Sequence, residues 1–86
     1  MGALAKLPNI GNVLEAQLEE VGIATPEALR EIGSRAAWLR ILAAGSSACF
    51  HRLCALEGAV RGVRWHALDE PVKADLKEFY QAHKGL

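Results

Sequence analysis

Serine, histidine and cysteine are the side chains of this sequence whose types suit catalysis or metal binding, but their spacing favours neither. Ser46 and Ser47 lie close to His51, yet no acid is placed to orient the histidine as the base for a serine nucleophile. We expect the two serines to cap a helix instead. The three histidines lack the paired, close spacing of zinc ligands. The sequence therefore predicts a protein that is not an enzyme, with no metal, no cofactor and no small-molecule substrate.

The two cysteines predict no covalent chemistry. Cys49 and Cys54 are five residues apart, so on one helix they would lie on opposite sides, which is a poor geometry for a disulfide. In the cytoplasm, the compartment that we expect, both thiols would be reduced. We expect both side chains to act as small hydrophobic residues at or near the core.

Two short segments have a pattern that suits phosphate binding. Residues 7–11 read LPNIG and residues 29–33 read LREIG, and each precedes a helical pattern. A turn followed by Ile-Gly at a helix start is typical of the helix-hairpin-helix module. Its glycine permits a tight turn, and the free N–H groups of the next helix can hold a phosphate oxygen. Gly11 and Gly33 are 22 residues apart, which suits two such turns related by a pseudo-two-fold axis.

Charge decides which turn is the better candidate for DNA. The net charge is zero, but residues 34–68 carry five arginines and one acid, whereas residues 1–33 carry five acids and two basic residues. Affinity for nucleic acid comes mainly from basic side chains near phosphates, so we expect the second turn, with Arg35 and Arg40, to be the stronger site. The predicted nucleic-acid contacts are Lys6, Asn9, Gly11, Asn12, Gly33, Ser34, Arg35 and Arg40.

A protein partner is the alternative to DNA. The acidic first third and the basic centre of the chain could pair between two copies, which would give a homodimer, or with another protein. The predicted interaction edge consists of Arg61, Arg64 and His66. Trp65 could supply an anchor there, but we favour the interpretation in which Trp65 and Leu68 fill the core while the arginines pair with Glu57 or Asp69.

The elements that must position these residues are helices. Apolar residues recur at helical spacing between glycines, and no stretch alternates like a strand. The first helix is predicted from about Gly11 to Val21. Thr25 should cap the second, Ser34 the third and Asp69 the fifth. Gly58, inside the fourth helix, should permit a close contact with another helix.

Length and composition predict a single all-α domain over residues 1–86. Five helices with short connections give a compact fold with tandem helix-hairpin-helix-like turns. Hydrophobic residues make up 51% of the chain, which compensates for the thin core of a domain of this size. No apolar run approaches the ~20 residues that a membrane span needs, so no membrane contact is predicted.

Five of these segments together resemble a known family. LPNIG at residues 7–11, VGI at 21–23, LREIG at 29–33, LEGA at 56–59 and RWHAL at 64–68 look like the C-terminal domain of the TfoX/Sxy family, which regulates transformation competence in bacteria. The likeness runs from about Leu4 to Tyr80. It implies a helical fold with helix-hairpin-helix character and a role in competence or transcription regulation. It implies no catalytic residues. Full-length family regulators carry an N-terminal domain first, so we expect a free-standing C-terminal domain here.

Overall fold

The structure, a computed structural model, describes residues 3–45 and 48–84. In that part of the chain the regular elements are all helical. A short 3₁₀ helix (Ala3–Lys6) is followed by α1 (Asn12–Glu20), α2 (Pro26–Ile32), α3 (Ser34–Ala43) and α4 (Phe50–Arg61), then by a second 3₁₀ helix (Trp65–Ala67) and by α5 (Glu70–His83). The prediction of an all-α fold with five helices is confirmed over these residues. None of the helices there is long and apolar enough to span a membrane.

The helix starts show which capping predictions hold. Thr25 caps α2 as predicted, since its Oγ1 accepts a hydrogen bond from the N–H of Ala28 at 3.1 Å. The prediction for Ser34 is wrong: Gly33 is the N-cap of α3, and Ser34 is the first residue of the helix. Gly33 has φ 86°, a conformation that glycine adopts without strain and that side chains disfavour. The serines predicted as caps of the fourth helix lie outside the described residues.

A buried tryptophan organises the core. The side chain of Trp38 in α3 is fully buried, and its indole N–H donates to the carbonyl oxygen of Cys49 at 3.1 Å. Its ring packs edge-to-face with those of Phe79 and Tyr80 of α5, at centroid distances of 6.0 and 5.8 Å. The same core contains buried residues from the first 3₁₀ helix, from each α-helix and from the residue after the second 3₁₀ helix. They are Leu4, Leu18, Leu29, Ile41, Leu53, Leu56, Leu68 and Leu76. Since α1 to α5 share this core, the turns between them are held in fixed positions.

Candidate nucleic-acid interface

The turn before α1 is fixed by one asparagine. The side-chain amide of Asn9 donates to the carbonyl oxygen of Val63 at 2.9 Å, and its Oδ1 accepts the backbone N–H of Trp65 at 3.0 Å. Asn9 also has φ 70°, whereas Gly11 has φ −99°, which any residue adopts. The prediction that Gly11 makes the tight turn is therefore wrong, because Asn9 takes the left-handed conformation. These bonds join the turn to residues 62–69, the connector between α4 and α5, and we call this contact the junction.

Gly58 permits that junction. A Cβ atom at this position would lie 2.5 Å from Nδ2 of Asn9 and 2.7 Å from the carbonyl oxygen of Val63. Real Cβ atoms essentially never approach so closely. Gly58 does permit a close contact, but its partners are the turn and the connector, so the prediction of a contact with another helix is wrong.

A groove of about 580 Å³ opens beside this junction. The beginning of α1 forms one wall, with Gly11 and Asn12. The first turns of α4 contribute His51 and Arg52. The connector contributes Arg64 and Trp65. The groove thus joins three segments that are far apart in the sequence.

The groove is positively charged. Arg52 and Arg64 both line it, and none of the described residues around it is acidic. No side chain caps the first turn of α1, so its free N–H groups and the helix dipole add partial positive charge. The acid in that turn, Glu15, is buried and accepts the backbone N–H of Ala5 at 3.0 Å instead. The arrangement suits an anion.

The two arginines of the groove have free hydrogen-bonding capacity. Among the described residues Arg64 takes part in no ion pair. Arg52 Nε is buried and has no hydrogen-bond acceptor in that part of the chain. Buried polar groups of folded proteins nearly always have a partner, so an unpaired guanidinium nitrogen is a feature to explain. Both side chains are chemically able to bind a phosphate.

Trp65 lies at the surface of the groove. Its side chain is 39% exposed, so the prediction that it fills the core is wrong, whereas Leu68 is buried as predicted. Its indole ring lies 5.2 Å from the His51 ring and 5.6 Å from the His66 ring, measured between centroids. The hydrogen bond from the backbone N–H of Trp65 to Oδ1 of Asn9 holds the connector against the turn. The groove therefore carries an aromatic surface beside its two cations.

The second predicted turn is organised around a buried acid. Glu57 is 7% exposed, and its carboxylate accepts a hydrogen bond from the hydroxyl of Ser34 at 2.5 Å. It also accepts one from Nε of Arg61 at 2.5 Å and lies 3.8 Å from a guanidinium nitrogen of Arg35. The predicted pairing of an arginine with Glu57 is confirmed for Arg61. A negative charge of the protein itself therefore lies at the first turn of α3.

This environment changes the acidity of Glu57. Burial by itself would raise the pKa of the carboxyl group, but the hydrogen bonds from Ser34 and Arg61 act against it. The positive charges of Arg61 and Arg35 act in the same direction as these bonds, and the pKa falls below its usual value. Glu57 therefore stays ionised around neutral pH.

The residues predicted to bind nucleic acid or a partner do not form one surface. Asn9, Gly11, Asn12 and Arg64 meet at the groove. Gly33, Ser34 and Arg35 lie together at the start of α3, and Arg61 reaches them through Glu57. Lys6 is exposed, and Nη1 of Arg40 donates to the carbonyl oxygen of Val21 at 3.3 Å. Their roles in binding stay predictions.

Sequence reasoning did not include His51 or Arg52 in any predicted binding surface. The sequence did contain a signal for the connector side of the groove, because the motif at residues 64–68 places arginine beside tryptophan and histidine outside the long helices. His51 and Arg52 carried no such signal, because their place beside Gly11 depends on how α4 packs.

The cysteines differ in exposure. Cys54 is buried as predicted, but Cys49 is exposed and lines the groove, so the prediction for Cys49 is wrong. Burial raises the pKa of the Cys54 thiol, and the charge of Lys73 only partly opposes this. Thiolate rather than thiol is the reactive form, so only the exposed cysteine has access to reagents.

Brief treatment of the folded protein with iodoacetamide at neutral pH is expected to alkylate Cys49 at least about tenfold faster than Cys54, because Cys54 is shielded and its thiol is less ionised. Peptide mass spectrometry after quenching measures both sites. Unfolding the protein in denaturant provides the control, since the two rates should then become similar. Equal rates in the folded protein would contradict the burial of Cys54.

Comparison with known proteins identifies the family of this chain. The family model of the TfoX C-terminal domain matches residues 1–80. The chain belongs to this family. The TfoX C-terminal domain described here is also 40% identical over 76 residues to Protein Sxy of Escherichia coli (strain K12), a match that covers 88% of this chain and 36% of Sxy. The chain thus spans about a third of that curated relative.

Two solved structures share the fold of this TfoX C-terminal domain. The crystal structure of an uncharacterized protein from Listeria monocytogenes, triclinic form, has a TM-score of 0.92 at 54% identity and covers 95% of this chain and 93% of that one. A Listeria monocytogenes protein of unknown function, tetragonal form, has a TM-score of 0.88 at 54% identity, with 91% and 96% covered. The match to the family model and the identity with Sxy confirm the family predicted from the sequence motifs.

Three of the motifs that carry the family resemblance meet in one place. LPNIG at residues 7–11 supplies Asn9, LEGA at 56–59 supplies Gly58, and RWHAL at 64–68 supplies the backbone N–H of Trp65. In this TfoX C-terminal domain these motifs form the junction that sets the shape of the groove.

Proposed function

We propose that this TfoX C-terminal domain is a non-catalytic regulatory domain that binds nucleic acid, with backbone phosphates held in the groove. One observation carries the proposal: Arg52, Arg64 and the uncapped start of α1 converge on a groove with no acid among its described lining residues. The relationship to TfoX and Sxy, a family associated with competence, supports a regulatory role.

The proposal assigns the main contacts to the first turn rather than to the second. At the start of α3, Glu57 already supplies an anion and engages Ser34 and Arg35. A phosphate there would lie close to the charge of Glu57. The first turn of α1 also holds an acid, Glu15, but this side chain is buried, bonds to the N–H of Ala5 and does not line the groove. Arg52 and Arg64 thus replace Arg35 and Arg40 as the principal candidates.

Neutralising the groove is expected to weaken binding. We expect the wild-type domain to bind a fluorescent DNA duplex with a single-stranded overhang at micromolar Kd, and more weakly at about 200 mM than at about 50 mM salt. The double variant Arg52→Gln/Arg64→Gln should lose about tenfold in affinity, and its salt slope should fall by about two units, because two phosphate contacts are lost. Fluorescence anisotropy measures both quantities.

A control of matched charge separates the groove from overall electrostatics. Arg30→Gln/Lys77→Gln removes two exposed cations of α2 and α5 that do not line the groove, and it should change the affinity less than about twofold. Equal losses in the two double variants would reject the groove as the binding site. No binding of the wild type at low salt would reject nucleic-acid binding altogether.

A protein partner is the second candidate function, favoured by one feature of the same surface. Val13 is 63% exposed beside Trp65, and an exposed apolar residue next to an aromatic one is typical of interaction hot spots. Sedimentation velocity on the wild type and on Val13→Ser would show a salt-insensitive dimer that the substitution weakens, if the groove joins two copies. A wild-type monomer at high micromolar concentration would reject that homodimer.

A further inference from the structure

We infer that the groove takes a single-stranded segment of nucleic acid, with an unpaired base stacked on Trp65. The inference rests on the proposed function and specifies its ligand. It depends on one exposed aromatic side chain, Trp65, that lines the same groove as the cations Arg52 and Arg64.

The backbone at Trp65 is fixed in position, which a surface for base stacking requires. Its backbone N–H is bonded to Asn9, and the neighbouring carbonyl oxygen of Val63 accepts from the same side chain, so the connector is fixed on both sides of Arg64. The indole is nonetheless 39% exposed. The rings of His51 and His66 lie beside it and limit its rotation. A fixed and exposed indole loses little side-chain entropy when a base stacks on it.

The chemistry of the groove distinguishes an unpaired base from a duplex. Inside a duplex, each base face is covered by its neighbours, and only base edges and the backbone are accessible. Proteins that bind single strands instead combine a positively charged groove with aromatic side chains on which bases stack. Arg52 and Arg64 supply the charge here, and Trp65 supplies the aromatic face.

The size of the groove agrees with one or two nucleotides. Its volume of about 580 Å³ lies in the range of small-ligand sites, ~300–1,000 Å³. The buried Nε of Arg52 has no acceptor among the described residues. The Arg52 side chain, which lines the groove, supplies positive charge to a phosphate there. Charge, shape and aromatic exposure therefore point to the same ligand.

Competition binding tests the strand preference with the protein as it exists. The labelled duplex with an overhang is displaced by an unlabelled single strand of about 10 nucleotides or by a blunt duplex of the same sequence. We expect the single strand to compete at least about tenfold better. DNA and RNA strands share the chemistry that is proposed, so both are used, and the tighter competitor identifies the sugar that is preferred.

Substitution of Trp65 tests the stacking. Trp65→Leu keeps the apolar bulk but removes the aromatic face, and it should weaken single-strand binding about tenfold while leaving blunt-duplex binding unchanged. Trp65→Tyr restores an aromatic face and should recover most of the loss. Circular dichroism and thermal unfolding of each variant establish that it is folded, as expected for a side chain at the surface.

Two intrinsic signals report occupancy without any substitution. Trp38 is fully buried, so quenching of tryptophan fluorescence by a single strand would come from Trp65. Cys49 lines the groove, so a saturating single strand should slow its alkylation several-fold, while Cys54 provides an internal reference.

The outcomes separate this inference from the proposed function. Equal competition by single strand and duplex, or unchanged single-strand binding by Trp65→Leu, would overturn the stacking while leaving phosphate binding in place. Failure of the wild type to bind the overhang substrate at low salt would overturn both. Preferential single-strand binding that Trp65→Leu abolishes and Trp65→Tyr restores would establish the inference.

Discussion

Replacing Gly58 with alanine is expected to lower the unfolding midpoint by about 10–20 °C. The new methyl group would lie 2.5 Å from Nδ2 of Asn9 and 2.7 Å from the carbonyl oxygen of Val63. The carbonyl belongs to the backbone and cannot rotate away, so the connector or α4 must shift. Overpacking of this kind costs about 2–3 kcal/mol, and in a domain of this size each kcal/mol lowers the midpoint by about 4–8 °C. Differential scanning calorimetry measures the change.

Gly11→Ala is the matched control for Gly58→Ala. A Cβ at Gly11 would have no atom within 4 Å, and φ is −99° there, so the free energy of unfolding should change by less than about 1 kcal/mol. In an Asn9→Ala background, Gly58→Ala should cost less than in the wild type, because one of its two clashes has gone. A wild-type midpoint for Gly58→Ala would contradict the close contact between α4 and the turn.

Replacing Glu57 with alanine is expected to destabilise the domain by about 2–3 kcal/mol. The hydroxyl of Ser34 is buried and would lose its acceptor, which costs about 1–3 kcal/mol. Arg35 and Arg61 are half-exposed and would be hydrated in the variant, so the loss of their ion pairs with Glu57 adds less to the cost. Glu57→Gln should cost less than Glu57→Ala, because an amide oxygen still accepts from Ser34. Urea unfolding at pH 7 gives the free energies.

Comparing the unfolding free energies of wild type and Glu57→Gln as a function of pH should reveal the contribution of the Glu57 charge to stability. The pKa of Glu57 is lowered in the folded protein, so its ionised form stabilises the fold above the unfolded pKa of ~4.3. This stabilisation is lost as pH falls towards the folded pKa. The difference in unfolding free energy between wild type and Glu57→Gln should therefore stay constant from pH 7 to about 5 and shrink below about 4.

An exposed acid serves as the control for this profile. Glu78→Gln, on the outer face of α5, should follow the wild type within about 0.5 kcal/mol across the same range. A difference between wild type and Glu57→Gln that grows on acidification would show the opposite shift of the Glu57 pKa. It would then contradict the arrangement in which Ser34, Arg35 and Arg61 surround the carboxylate.

The helices were predictable because their signals are local. Apolar spacing identified the five helices, and Thr25 was interpreted correctly as a cap from its immediate neighbours. Local signals gave a wrong prediction where a local preference competes with a long-range interaction. Ser34 has the residue type of an N-cap, but Gly33 takes that place, and the serine hydroxyl turns inwards to a carboxylate 23 residues away. Capping preference is worth about 1 kcal/mol, which a buried hydrogen bond can outweigh.

The candidate site was predictable only in part. The sequence identified the turn at residues 7–11 as a phosphate-binding pattern and Arg64 and His66 as an edge, but it treated them as separate surfaces. It predicted that the turn before Arg35 is the stronger phosphate site, but the guanidinium of Arg35 forms an ion pair with Glu57. Net charge counted along the chain does not reveal which cations are neutralised, because ion pairs form between residues that packing brings together.

The sequence by itself determined the helical class, the family and the segments that matter, since periodicity, turn residues and short motifs act over a few neighbouring positions. Only the tertiary structure decided which of these segments form one surface. The bonds from Asn9 to Val63 and Trp65 span 54 and 56 residues, and they exist because Gly58 leaves room for them. Through that contact Arg52, Arg64 and an exposed Trp65 come to lie beside the start of α1. No local pattern encodes this placement, because it follows from how α4 packs on the rest of the chain.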